Sequence, residues 1–187
     1  MSLIYRFRML SDENDNFVRD FEVPANYTLL QLNDFILKML HYEPCMASFF
    51  KSNSEWQCLK EYTLMDMGEG ISDEELDQPE PMEKVRLDEV LHYLNDRLIY
   101  LFDPINERAF YMEVIEASEP QADLTYPRLQ FEHSPAPDQY DPEANEESGS
   151  IFDEMMGDYN DFDVDDSYDD EYYSTINQCT TIKLSYL

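Results

Sequence analysis

The most restrictive feature of this sequence is its uneven distribution of charge. Between Arg128 and Lys183 there is no lysine or arginine, whereas sixteen Asp and Glu residues lie in that interval. Residues 1–128 hold 26 acidic and 11 basic residues, and residues 129–187 hold 16 acidic residues and one basic residue, so each part has a net charge of −15. Like charges at this density are costly to pack together. We therefore expect one domain at residues 1–133 and an acidic tail at residues 134–187, mostly disordered unless a partner binds it.

The net charge of −30 also restricts the kinds of partner that the chain can attract. Nucleic-acid phosphates and anionic membrane surfaces repel such a chain, whereas basic protein surfaces attract it. No segment has the roughly 20 consecutive apolar residues of a membrane-spanning helix, and the first ten residues do not have the pattern of a signal peptide. The three cysteines, Cys45, Cys58 and Cys179, form no C-x-x-C pair, which argues against a zinc ribbon and a disulfide framework. We expect a cytoplasmic protein that binds neither nucleic acid nor membrane directly.

The spacing of apolar residues predicts a domain of strands interrupted by two helices. Alternation in the first hairpin places Arg6 and Arg8 on one side of their strand, opposite Asp20 and Glu22 of the next strand. The predicted strands are 4–10, 17–23, 47–51, 56–62, 98–102, 109–116 and 129–131. Such an order favours an α+β fold, in which a mixed sheet has its helices on one face.

Two helices and one loop complete the predicted domain. The first helix opens at Thr28, which forms a capping box with Gln31, and it ends before Pro44. The second helix covers Asp88–Asn95, because apolar residues recur there at helical spacing. Between the helices, residues 66–83 combine two glycines and two prolines with many acids, which predicts an exposed and mobile loop.

Several segments of the domain also have a familiar pattern: IYRFRMLSDENDNFVRDFEVP, TLLQLNDFILKMLHYEP, MASFFKS, YTLMDMGEG and LIYLFDPINERAFYMEVIE. They resemble the plasmid pRi ORF-three-like family of uncharacterised bacterial proteins. The resemblance covers about residues 3–116 and does not reach the tail. The family's signature near the second hairpin is degenerate here, since only Asp103 of its polar part is retained. The resemblance implies a compact α+β fold with a ubiquitin-like (β-grasp-like) opening of hairpin and helix, and it implies no activity.

The residue types that usually carry catalysis are scattered in this sequence. His41, His92 and His133 are single histidines, and a metal or catalytic role would require them to converge with carboxylates or cysteines. The chain has neither a G-x-S-x-G nucleophile motif nor a glycine-rich phosphate loop. We therefore expect no catalytic residue and no cofactor.

The acidic tail contains the best partial match to a metal motif. Asp161, Asp163 and Asp165 fit positions one, three and five of an EF-hand loop. Asp166 stands where the loop needs glycine, and Tyr172 stands where it needs a bidentate glutamate. We therefore predict no specific metal site.

The tail is nevertheless the candidate binding segment, because aromatic and methionine side chains are interleaved with its acids. Carboxylates would steer the tail to a cationic surface, and the rings would supply burial there. The predicted partner-binding residues are Phe152, Tyr159, Asp161, Phe162, Asp163, Asp165, Asp166, Tyr168, Asp169, Asp170, Glu171 and Tyr172.

Three functions from different classes remain open on the sequence. The first is a non-enzymatic protein-interaction module that docks on a basic protein through its tail. The second is a nucleic-acid mimic, or a chaperone of a nucleic-acid-binding protein, in which spaced carboxylates occupy phosphate sites. The third is an enzyme whose site gathers dispersed carboxylates such as Asp103, Glu113 and Glu116. The sequence leaves the oligomeric state open.

Overall fold

The computed structural model describes residues 3–66 and 78–140. The chain forms two units, Met1–Pro137 and Asp138–Leu187, and every element described below belongs to the first. The elements in chain order are β1 (Ile4–Ser11), β2 (Val18–Pro24), α1 (Leu29–Leu40), β3 (Ser48–Ser52), β4 (Cys58–Thr63), β5 (Glu80–Pro81), α2 (Leu87–Val90), β6 (Arg97–Asp103), β7 (Arg108–Ser118) and β8 (Arg128–His133). The predicted α+β class is confirmed.

The eight strands in the described residues form one mixed sheet, in the order β5-β4-β3-β6-β7-β1-β2-β8. All neighbouring strands are antiparallel except β4 and β5, which are parallel. The first strand, β1, is interior and lies between β2 and β7. The two edges of the sheet are β5, which has only two residues, and β8.

The hydrophobic core lies on one face of the sheet. In β1, Tyr5, Phe7 and Met9 are buried in the core, as the alternation predicts. The core also contains the apolar side of α1, together with alternate residues of β6 and β7. Burial of these aromatic and aliphatic side chains supplies most of the driving force for folding. The side chains on the opposite face of the sheet do not belong to this hydrophobic core.

The predicted start of the first helix is confirmed in detail. The Thr28 hydroxyl accepts a hydrogen bond from the Gln31 backbone N–H at 3.2 Å, and the Gln31 side chain accepts one from the Thr28 N–H at 2.9 Å. The helix ends at Leu40, and His41 follows in the left-handed conformation. Neither helix in residues 3–66 and 78–140 is long and apolar enough to cross a membrane.

The second helix is shorter than predicted. The prediction was Asp88–Asn95, but α2 covers only Leu87–Val90. The cause lies after this single turn, where the Asp96 carboxylate accepts the backbone N–H groups of His92 and Tyr93 at 2.7 and 3.0 Å. These groups would otherwise continue the helical hydrogen bonds, because such side-chain acceptors compete with helix formation.

The predicted acidic loop at residues 66–83 also needs correction at its end. Its middle, residues 67–77, lies outside the described residues. Glu80–Pro81 forms β5 beside β4, and the backbone N–H of Met82 donates to the Thr63 carbonyl at 2.8 Å. The Met82 side chain is fully buried in the core. Met82 thus anchors the end of this segment in the core. The acidic composition of the segment as a whole does not indicate such an anchor.

The chain stays in contact with the fold beyond β8. The buried side chain of Arg19 donates to the carbonyl of His133 at 2.9 Å, and Ala136 packs against the core. The Tyr42 hydroxyl then donates to the carbonyl of Pro137 at 2.5 Å. These contacts fix the course of the backbone as far as Pro137, the last residue of the first unit.

Candidate functional site

The tail residues predicted to bind a partner, from Phe152 to Tyr172, all lie outside the described residues. The same is true of the aspartates that partly match an EF-hand loop. The described residues contain a different candidate, which the sequence-based predictions missed. It is the face of the sheet that points away from the core and the helices, and we call it the outer face.

A row of apolar side chains crosses the middle of the outer face from β3 to β2. Its members are cross-strand neighbours in the registers of the sheet: Phe50, Ile99, Tyr111, Leu10 and Val18. Phe50, Ile99, Tyr111 and Leu10 each neighbour a core residue in their strands, and Val18 directly follows the core residue Phe17. All five therefore point away from the core. Ile99 is buried by its neighbours, and the other four are half-buried. We call these five residues the apolar row.

A row of alternating charges runs beside the apolar row. In sheet order it consists of Arg97, Glu113, Arg8 and Asp20. The Arg97 Nε atom donates to the Glu113 carboxylate at 2.7 Å. The Asp20 carboxylate accepts two hydrogen bonds from Arg8, at 2.9 and 2.8 Å. The hydrogen bond to Asp20 raises the pKa of Arg8 and keeps its positive charge in place. We call these four residues the first charged row.

A second charged row follows, made of Glu116, Arg6, Glu22 and Arg128. The predicted register is confirmed, since Arg6 lies opposite Glu22 and Arg8 lies opposite Asp20. The ion pairs differ from this register. Arg6 contacts Asp20 diagonally at 3.2 Å and Glu116 at 3.4 Å, whereas Arg128 contacts Glu22 at 2.7 Å. The cation that neutralises Glu22 is therefore Arg128 of β8, and it does not come from the hairpin of β1 and β2.

An aromatic cluster lies on the outer face around Tyr111, the middle member of the apolar row. Trp56 precedes β4 and has a positive φ of 61°. Its ring meets Tyr111 edge to face at 5.1 Å, and the Arg97 guanidinium lies 4.5 Å from its centre. Arg97 also donates to the Ser54 carbonyl at 2.5 Å, which fixes the turn beneath the ring. Trp, Tyr and Arg are the side chains most often found at the energetic centres of protein interfaces.

The positive charges of the described residues are nearly all neutralised within the domain. Every lysine and arginine in residues 3–66 and 78–140, other than Lys38, lies within 4.0 Å of a carboxylate. Acidic residues outnumber basic ones in this part of the chain. The surplus charge of the domain is therefore negative, as in the tail.

The groups considered for catalysis do not converge in the described part of the chain. His41 caps α1, and His92 and His133 lie in separate segments of the domain. No group of three His, Cys, Asp or Glu side chains in residues 3–66 and 78–140 is placed to hold a metal ion. The carboxylates named for the enzyme hypothesis also have separate contacts, since Asp103 accepts N–H groups of its own turn while Glu113 belongs to the first charged row.

Comparisons with known proteins place this fold in a family. A crystal structure of a protein of unknown function (MM3350) from Methanosarcina mazei Go1 has a similar fold, with a TM-score of 0.57 and 18% identity over 71% of this chain and 70% of that chain. No curated protein matches the chain. The family model described as plasmid pRiA4b ORF-3-like protein matches residues 4–173, beyond the residues 3–116 expected from the sequence and into the tail. The chain therefore belongs to the plasmid pRiA4b ORF-3-like protein family.

Proposed function

We propose that this chain is a non-enzymatic protein-interaction module, whose acidic tail at residues 134–187 docks on the basic surface of another protein. The observation that carries the proposal is the internal neutralisation of the domain's cations. Almost all of the described cations already have carboxylate partners, which supports a source of positive charge for the tail in another molecule. The same neutralisation disfavours nucleic acid as a direct ligand, because phosphates require uncommitted lysines and arginines.

The composition of the tail supports a role beyond solubility. Its carboxylates raise the rate of encounter with a cationic surface through long-range attraction. Its rings, such as Phe152, Tyr159 and Phe162, supply the buried contacts that slow dissociation. A segment that only solubilised the domain would need the charges and not the rings. The family model also extends over this segment as far as residue 173.

Three finer expectations accompany this proposal and stay predictions. The ββα opening is expected to be ubiquitin-like, the tail is expected to be disordered until a partner binds, and the protein is expected to act in the cytoplasm. Disorder that ends on binding lowers affinity for a given contact area, because ordering the segment costs conformational entropy. The interaction is accordingly expected to be reversible.

Affinity capture from a bacterial lysate with the full chain and with residues 1–137 tests the proposal. The cut is placed after Pro137 because Ala136 and Pro137 contact the domain. We expect the full chain to retain basic proteins at low salt and the shortened chain to lose them. Equal recovery by both proteins would contradict the proposal. Release of the captured protein by excess duplex DNA would instead favour the nucleic-acid mimic.

Two tail variants then separate charge from burial, using the captured basic protein as the probe. The charge variant replaces aspartate by asparagine at Asp161, Asp163, Asp165, Asp166, Asp169 and Asp170. The ring variant replaces aromatic residues by serine at Phe152, Tyr159, Phe162, Tyr168 and Tyr172. We expect slower association for the charge variant and faster dissociation for the ring variant. A ring variant that dissociates as slowly as the full chain would show that the tail acts through charge alone.

A further inference from the structure

We propose that the outer face binds the same face of a second copy of the chain and forms a twofold-symmetric dimer. The twofold axis runs parallel to the strands, between β7 and β1. This inference concerns the sheet of the domain and does not depend on the proposed role of the tail. Its evidence is the exposure of the face, its charge balance and the order of its rows.

The outer face is the side of the sheet that the described elements leave uncovered. The core and the apolar side of α1 lie on the opposite face. Four residues of the apolar row are only half-buried, and the ring of Trp56 meets Tyr111 edge to face on the same side of the sheet. A half-apolar sheet face of this kind typically packs against a second sheet at a distance of about 10 Å.

Charge explains why the second copy is expected on this face. Two chains with a net charge of −30 repel each other over most of their surfaces. The two charged rows of the outer face contain four arginines and four carboxylates, so together they are formally neutral. Two copies that approach through these rows therefore avoid the repulsion that their other acidic surfaces impose.

The order of the first charged row makes the face complementary to itself. Rotation about the proposed axis reverses the strand order, so β7 of one copy faces β1 of the other and β6 faces β2. The charges of this row alternate in sign over four positions. When the row of one copy is laid in reverse order against the row of the other, each position lies opposite a residue of opposite charge. Arg8 of one copy thereby faces Glu113 of the other. Arg97 lies opposite Asp20, whose side chain is buried under Arg8, so the contact between Arg8 and Glu113 carries the charge complementarity of this row.

The apolar row meets itself under the same rotation. Tyr111 of one copy faces Leu10 of the other, and Ile99 faces Val18. The five strands of this row, spaced about 4.8 Å apart, cover on the order of 600 Å² in projection. This is close to the roughly 800 Å² that each copy of a stable dimer buries. Trp56 contacts Tyr111 next to the proposed axis, so its environment reports on this contact.

Sedimentation equilibrium of the full chain tests the dimer directly. We expect a mass of twice 22.2 kDa at micromolar concentration. Trp56 is the only tryptophan of the chain, so acrylamide quenching of its fluorescence reports on the outer face. We expect quenching to weaken as the protein concentration rises. A monomer at every concentration overturns the proposal, and so does a dimer in which quenching of Trp56 is unchanged, because a dimer formed through another surface leaves that ring accessible.

A matched pair of substitutions places the contact on the outer face. Tyr111→Asp puts a charge into the apolar row, and we expect at least about 30-fold weaker association. Tyr93→Asp makes the same chemical change at an exposed residue between α2 and β6 and is expected to leave association unchanged. Equal association of the two variants contradicts the proposal. If Tyr111→Asp fails to fold, the concentration dependence of Trp56 quenching in the unmodified chain decides the matter.

Discussion

The carboxylate of Asp20 is held by the guanidinium of Arg8 through two hydrogen bonds, from Nε at 2.9 Å and from Nη2 at 2.8 Å. The acid is the buried member of this pair, since its side chain is 2% exposed and that of Arg8 is 49% exposed. Arg6 contacts the same carboxylate at 3.2 Å. A buried acid on a sheet is stable only when such donors compensate its charge. The contacts of Asp20 with Arg8 and Arg6 therefore link β2 to β1 at the end of the first charged row.

Asp20→Asn is expected to lower the free energy of unfolding by about 2 kcal/mol, because the amide loses charge-assisted hydrogen bonds from two arginines. The arginines stay partly in water, which keeps the loss below that of a fully buried pair. Urea unfolding measures the change. Glu116→Gln is the control, because the exposed pair of Glu116 with Arg6 contributes about 0.5 kcal/mol or less. Equal losses in the two variants would show that burial of Asp20 has no energetic importance.

Tyr100→Phe tests a buried polar contact inside the core. The Tyr100 hydroxyl donates to the Asn33 side-chain oxygen at 2.8 Å, and both residues are buried. Burial raises the pKa of Tyr100, so this hydroxyl remains a donor. Removing it leaves the buried oxygen of Asn33 without its donor, which costs about 1–3 kcal/mol. Tyr93→Phe, at an exposed tyrosine, is expected to leave the unfolding free energy unchanged. Unfolding curves of equal midpoint for the two variants would contradict this role.

The strands and the first helix could be predicted because their apolar periods are regular over their whole length. Tyr5, Phe7 and Met9 reach the core as their spacing indicates, and the capping box of Thr28 depends only on residues close in sequence. The predicted length of the second helix was wrong for a similarly local reason. The Asp96 carboxylate accepts the N–H groups of His92 and Tyr93, which a longer helix would have used for its own hydrogen bonds.

The outer face could not be predicted because it is assembled from distant strands. Arg8 and Asp20 belong to one hairpin and were expected to be neighbours, but Arg97 and Glu113 reach the same row only when β7 pairs with both β1 and β6. Pairing between distant strands is set by the packing of the whole sheet and has no signature in a single segment. The sequence places Arg6 opposite Glu22, but Arg6 contacts Asp20, and Glu22 takes its cation from Arg128 of the distant strand β8.

Met82→Ala tests the anchor at the end of the acidic segment. The Met82 side chain is fully buried in the core, although acids dominate the sequence around it. Truncation leaves a cavity and is expected to cost about 2–4 kcal/mol, measured by thermal or urea unfolding. Met65→Ala, at an exposed residue on the other side of residues 67–77, is expected to change stability by less than about 0.5 kcal/mol. Similar small effects for both variants would mean that the segment is not anchored.

Asp96 is expected to make the domain sensitive to acid. Burial by itself raises the pKa of this carboxyl, but the hydrogen bond from Lys51 and those from the backbone N–H groups of His92 and Tyr93 outweigh it, so the pKa is lowered from 3.8. A carboxyl with a lowered folded-state pKa contributes stability above its unfolded pKa and loses that contribution as the pH falls through the folded value.

The Asp96→Asn variant isolates this contribution. We expect the parent chain to be more stable than the variant at about pH 7, and the difference to shrink below about pH 4 as the carboxylate of the parent takes up a proton. Urea unfolding of both proteins at several pH values measures the difference. The exposed Glu83→Gln change is the control, and its effect on the unfolding free energy at about pH 7 is expected to be within about 0.5 kcal/mol. A difference for Asp96→Asn that stays constant down to about pH 2 would show that the negative charge of Asp96, and with it the ion pair with Lys51 at 2.8 Å, adds no stability.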